Sequence, residues 1–240
     1  MLYLDLRDGD NEVVPMRPQL FRVGAGRDPV VVVDDIGGTS EAVRIASAMA
    51  PFPAAANHYP GLRRIFGPQD EAANAYVAAT LQHAAPFIAG GFELDSFELI
   101  EASFSIITFL PGALSPAQRA PHFDSTDPDY LAVLHYLAGT ERTGTAFYRQ
   151  CSTGIEAVTE ANLSRFVAAH RHESAQLSGY VTGSNAVFEQ THTIEGVPGR
   201  LVVYRGCMLH SGIIPPDLDF APDPQRGRLT GNFFIRGHRH

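Results

Sequence analysis

The chain has 240 residues, 45% apolar and 18% charged, a length that buries about 70% of its unfolded surface without a disulfide or metal staple and a composition that excludes a disordered chain. All 18 basic residues are arginine, which excludes a lysine Schiff base, a lysine general base and a P-loop lysine. A net charge of −8 excludes the broad basic surface of a nucleic-acid binder.

The opening Met1–Asp8 carries charge too early for the apolar core of a secretory leader. No run approaches the roughly 18 apolar residues of a membrane span, so a cytoplasmic chain is expected. Cys151 and Cys207 make no disulfide framework. In chain order, the first 30 residues mix short apolar pieces with turn formers and predict one or two short strands. Val30–Val33 is a β-branched run ending in Asp34-Asp35-Ile36-Gly37-Gly38, which reads as a buried strand and turn. Thr39 or Ser40 is the expected cap of a helix over 41–50 that Pro51 and Pro53 stop. Residues 51–68 read as a Pro- and Gly-rich loop. An Ala-rich stretch from Gln69 to Ile88 reads as a second helix, with Asp70 as its N-cap and Gly90-Gly91 at its end.

Beyond Gly91, short pieces rich in Phe, Tyr, Val, Ile and Thr dominate: 99–110, 130–137, 145–149, 187–194, 201–205 and 229–236. One helix, about 160–174, interrupts them. No linker separates two units. One domain is expected over 1–240, with supporting strands and helices over 1–95 and a β sandwich or jelly roll over 96–240.

His122-Phe123-Asp124 carries the chemistry. On an extended segment the period of two puts His122 and Asp124 on one face, and Pro121 favours an extended backbone at Ala120. An imidazole and a carboxylate converging on one point suit a divalent metal of mixed N/O preference. His210, 88 residues downstream after a strand and a turn, is the best third ligand. Two His and one carboxylate with open positions form the facial triad of non-haem iron oxygenases. Taken singly, each of these residues also fits an ordinary structural role; order, spacing and the β-rich surroundings together favour the metal. Arg228-Leu229-Thr230 places a guanidinium and a hydroxyl on one strand face, able to hold a carboxylate. Arg226 has the same facing and is a rival.

From about Val30 to Arg236 the chain resembles the 2-oxoglutarate/Fe(II)-dependent dioxygenase superfamily, closest to its prolyl-hydroxylase-like branch. In that family's pattern His122, Asp124 and His210 match the iron ligands, and Arg228 matches the residue that grips the distal carboxylate of 2-oxoglutarate, with Thr230 beside it. Gly144-Thr145-Ala146-Phe147 is similar to the Gly-rich strand between the two halves of the motif. The resemblance implies a double-stranded β-helix flanked by helices, with Fe(II) as cofactor and 2-oxoglutarate as co-substrate. The implied activity is hydroxylation of an unknown substrate with release of succinate and CO2.

The chain departs from the pattern in places. Leu110 stands ahead of Pro111-Gly112 where many relatives have tyrosine. The co-substrate tyrosine of the next strand aligns with His135, and Tyr136 is expected to face the other way; His135 is either a donor to the co-substrate carboxylate or a satisfied core histidine. The 18 residues from His210 to Arg228 exceed the usual interval, and 215–224 reads as an extended hairpin loop. A small molecule and a protein or peptide side chain both remain open as substrate. No nucleic-acid or membrane partner is expected, and a homodimer is compatible with such a fold. Two alternatives stay on the table: a cupin-like isomerase or hydrolase using Zn or Mn, and a non-catalytic metal-binding module of the same fold.

Overall fold

A computed structural model describes residues 17–56 and 58–239. The first 16 residues, with the charged opening and part of the expected N-terminal strands, lie outside the described residues. Ten strands and four α-helices follow one another: β1 (Arg17–Val23), β2 (Asp28–Asp34), α1 (Thr39–Met49), β3 (Gly61–Ile65), α2 (Glu71–Phe92), β4 (Ser96–Ile107), α3 (Pro116–Arg119), β5 (Tyr130–Ala138), β6 (Gly144–Gln150), α4 (Leu163–Glu173), β7 (Phe188–Glu195), β8 (Leu201–Arg205), β9 (His210–Ile213) and β10 (Leu229–His238).

Seven strands form one sheet in the order β1-β2-β8-β5-β10-β4-β3, and three form a second in the order β7-β6-β9. An isolated antiparallel bridge from His122 to His210 adds the H-x-D segment to the free side of β9. From β4 onward the chain alternates between the layers: β4 large, the His122 segment small, β5 large, β6 and β7 small, β8 large, β9 small, β10 large. This winding is a double-stranded β-helix, with β1, β2 and β3 widening the large sheet.

Side-chain alternation divides the apolar residues into three layers. Val31, Val33, Leu131, Val133, Leu201, Val203, Leu229 and Phe233 face α1 and α2. Val30, Val32, Leu134, Tyr136, Val202 and Tyr204 face inward and meet Phe147, Ile194 and Met208 of the small sheet. Ala146, Tyr148, Phe188 and Leu209 face outward from the small sheet onto Phe166 of α4. Val30–Val33 is therefore buried on both faces, as a continuous β-branched run requires.

Several local expectations need correction. Neither Thr39 nor Ser40 caps α1; Gly38, at φ 72°, precedes it, and Thr39 lies within the helix. Helix α2 passes through Pro86 and Gly90-Gly91 to Phe92. Gly91 serves close packing: a Cβ there would stand 2.3 Å from Val31 Cγ2, so glycine lets α2 lie against β2. The expected loop over 51–68 contains strand β3. Its arginines sit on the edge strand of the large sheet, paired with β4 and bridged on the other side only by Ala54 to Leu62, where apolar alternation is not demanded.

Candidate metal centre and anion pocket

One antiparallel bridge builds the metal centre. His122 N–H donates to His210 O at 2.9 Å, and His210 N–H donates to His122 O at 2.8 Å. Directly opposed residues share a face, so the two imidazoles meet with ring centroids 4.4 Å apart. Asp124, two residues on, returns to the same face, and its N–H is pinned to Gly206 O at 2.7 Å. Its carboxylate lies 3.9 Å from His122 Nε2 and 3.6 Å from His210 Nε2. One donor atom from each residue falls within 4.8 Å of the other two.

The His210 ring is oriented through its other nitrogen. Nδ1–H donates to Met208 O at 2.8 Å, leaving the lone pair on Nε2 aimed at the cluster. Burial pulls the His210 imidazole down to about 4. Enclosure, then the nearby His210, pulls His122 the same way, less firmly since 55% of its side chain is exposed. Burial raises the Asp124 carboxyl above its usual range, against His122 and Arg63. Neutral imidazoles crowded against a carboxylate fit a divalent cation of N/O preference.

Arg228 and Thr230 point into the same interior, 4% and 1% exposed. Arg228 Nη2 donates to Gly144 O at 3.4 Å, and the guanidinium lies 5.6 Å over the Tyr136 ring. Its buried Nε has no hydrogen-bond partner, and among the described residues no carboxylate forms an ion pair with it. An uncompensated buried cation costs several kcal/mol, by order of magnitude, unless an anion joins it. Gly212 lies beside the guanidinium: a Cβ there would stand 3.9 Å from Arg228 Nη2. Gly212 follows His210 by two residues on β9, about 7 Å of strand, which sets the spacing between metal centre and guanidinium.

Three tyrosines complete the anion pocket. Tyr136 faces inward, its hydroxyl 2.7 Å from Thr145 Oγ1. Tyr204 stacks edge-on against His210 at 4.7 Å. Tyr59, from the loop before β3, brings its hydroxyl to Thr230 and Arg228; burial nevertheless pushes it up to about 12. Spacing along the chain carried no sign of Tyr59, whose loop folds back over the barrel.

The structure does not bring His135 to this pocket. It faces the helices, fully buried, with Nδ1 2.7 Å from the Tyr76 hydroxyl and Nε2 3.5 Å from Thr39 Oγ1. The expected facing of His135 and Tyr136 is thus reversed: even-numbered residues of β5 point inward. Arg226 is no rival to Arg228, for it is exposed and bound to Asp219 at 3.0 Å. The 215–224 loop accounts for the long interval; its Phe220 stacks on Tyr180 at 6.3 Å, and Tyr180 donates to Phe109 O at 2.7 Å. Cys207 is buried, its thiol pushed up to about 11 mainly by desolvation, and inert. Among the described residues no helix is long and apolar enough to cross a membrane.

The model of a family of unknown function, DUF6445, matches residues 15–235, and the chain belongs to that family. No curated protein matches it in sequence. Among solved structures it is similar to a prolyl-4-hydroxylase from Pseudomonas putida, at 17% identity and TM-score 0.46 over 88% of this chain and 93% of that one. It is similar to the non-haem α-ketoglutarate-dependent epimerase SnoN from nogalamycin biosynthesis, at 12% identity and TM-score 0.48 over 88% and 78%. HygX from Streptomyces hygroscopicus, solved with nickel and 2-oxoglutarate, is similar at 11% identity and TM-score 0.48 over 87% and 82%.

Proposed function

We propose that this chain is an Fe(II)- and 2-oxoglutarate-dependent oxygenase that hydroxylates its substrate. The observation carrying this reading is the buried Arg228, without a carboxylate partner among the described residues, beside Gly212, which stands two residues from His210 of the His-His-Asp cluster. His122, Asp124 and His210 would hold the iron, and Arg228, Thr230 and Tyr59 the distal carboxylate of the keto acid. Bound together, iron and 2-oxoglutarate supply oxidation of a C–H bond by O2, with release of succinate and CO2.

The chain's own residues bind, orient and shield. Met208 O fixes the His210 tautomer. Tyr136 supports the guanidinium from below, and the hydroxyls of Thr230 and Tyr59 add uncharged donors for a carboxylate. The buried tyrosines and the inner apolar layer exclude water from the co-substrate. No general base is demanded of the protein, which suits a site whose imidazoles are held neutral.

Calorimetric titration of 2-oxoglutarate into Ni(II)-loaded protein tests this. Binding that requires the metal, and that weakens about tenfold or more in Arg228→Gln, supports the reading. Absence of binding to folded, metal-loaded protein overturns it.

A further inference from the structure

The polar residues of the inner face of the large sheet are gathered in one quarter of it. Cross-strand register aligns Arg63, Ser105 and Thr230 in one row, Ser103 opposite Asn232 in the next, and Glu101 opposite Phe234 in a third. The inward residues on β5, β8 and β2 are mostly apolar. The polar quarter, on β3, β4 and β10, lies toward the metal centre: the Arg63 charge acts on the Asp124 carboxyl, and Gly212 of β9 lies beside Arg228 at the head of β10.

Within it lies an ion pair that the co-substrate site does not use. Arg63, 12% exposed in its side chain, donates from Nη2 to Glu101 Oε1 at 2.6 Å and from Nε to Ser103 Oγ at 3.0 Å. Its guanidinium lies 5.6 Å over the Phe234 ring, and Phe234 stacks on Tyr130 at 5.3 Å. Gly206 ties this wall to the metal centre. A Cβ there would meet Tyr130 Cδ1 at 2.8 Å and Asp124 Cβ at 3.3 Å, so the aromatic pair stands immediately beside the carboxylate ligand.

We infer that the substrate is a small molecule bearing a free α-amino acid group, its carboxylate taken by Arg63, its ammonium by Glu101, and its apolar part laid along Tyr130 and Phe234. This rests on the oxygenase reading above. A guanidinium has five donors and a carboxylate about four acceptor sites, so the bonds to Glu101 and Ser103 leave both charged partners with unused capacity. Desolvating such a pair is costly unless the remaining capacity is met. A zwitterion meets both at once. The interior of a peptide offers neither charge, and a nucleotide offers no ammonium.

The experiment titrates the proteinogenic L-amino acids into protein already loaded with Ni(II) and 2-oxoglutarate, and repeats each binder with its deaminated and decarboxylated analogues. The expected result is saturable binding of at least one amino acid, with each analogue weaker by about tenfold or more. Arg63→Gln and Glu101→Gln should each weaken that binding by a similar factor, and Glu101→Gln should leave 2-oxoglutarate affinity unchanged. Glu101→Gln is isosteric and half-exposed, so it keeps the test open if Arg63→Gln folds poorly. Binding of 2-oxoglutarate with no amino-acid binding, equal binding of the analogues, or unaltered binding in the variants overturns this inference alone. Failure of 2-oxoglutarate to bind overturns the oxygenase reading together with it.

Discussion

His122 and His210 exchange both backbone hydrogen bonds, at 2.9 and 2.8 Å, and this single closely paired bridge places two imidazoles on one face across two strands 88 residues apart in the chain. Asp124 joins them by strand periodicity alone. The cluster is thus held by backbone pairing, and its side chains can be altered without dismantling the barrel.

Removal of a ligand follows from that. His210→Ala and Asp124→Ala should remain folded, with melting temperatures near wild type, and lose Ni(II) or Fe(II) affinity by more than about 100-fold, beyond the loss typical of outer hydrogen-bond partners. Calorimetry on apo protein checks it.

Among the described residues no carboxylate balances the charge of Arg228. Arg228→Met should raise the stability of the protein without 2-oxoglutarate by about 1 kcal/mol or more, since an unpaired buried cation is removed. In Ni(II)-loaded protein, 2-oxoglutarate at 100 times the wild-type Kd should stabilise wild type by about 2.7 kcal/mol and a variant that binds about tenfold more weakly by about 1.4 kcal/mol. Urea denaturation with and without 2-oxoglutarate measures both arms.

His135 belongs to the scaffold. Burial lowers it to about 3, whereas in the unfolded chain it protonates near 6.5. The unfolded state therefore binds the extra proton, and stability falls as pH drops from about 6.5 toward 3, by up to about 1.4 kcal/mol per unit; above 6.5 this group contributes no pH dependence. His135→Gln should lose about 2 kcal/mol less than wild type between pH 7 and 5, with metal and 2-oxoglutarate binding unchanged. Urea midpoints at the two pH values check the first, calorimetry the second.

Gly206 is squeezed between Tyr130 and Asp124. Gly206→Ala should destabilise the fold by about 1–3 kcal/mol and also weaken metal binding, because the methyl displaces the segment that holds Asp124. A melting curve together with a metal titration separates this double effect from a purely structural loss.

Much of this architecture is legible in the chain. The β-branched Val30–Val33, the Ala-rich α2 and the alternating pieces beyond Gly91 declare themselves, because burial on one or two faces imposes a period. His122, Asp124 and His210 are readable from residue type and order, and Arg228-Leu229-Thr230 from strand facing. What escapes is set by tertiary packing. Strand β3 is an edge rich in arginine and lacks an apolar period. The register shift beside Thr230 in the β10–β5 pairing accompanies an inward Tyr136 and an outward His135, a parity that alignment by residue type misplaced. Tyr59 reaches the pocket from a loop, and no local pattern announces a loop's destination.

The most direct measurement is anaerobic titration of Fe(II)-loaded protein with 2-oxoglutarate, followed by its visible metal-to-ligand charge-transfer band. Wild type should develop the band, His210→Ala should not, and Arg228→Ala should develop it only at much higher 2-oxoglutarate concentrations. A folded, iron-loaded wild type that saturates without any band would contradict the account.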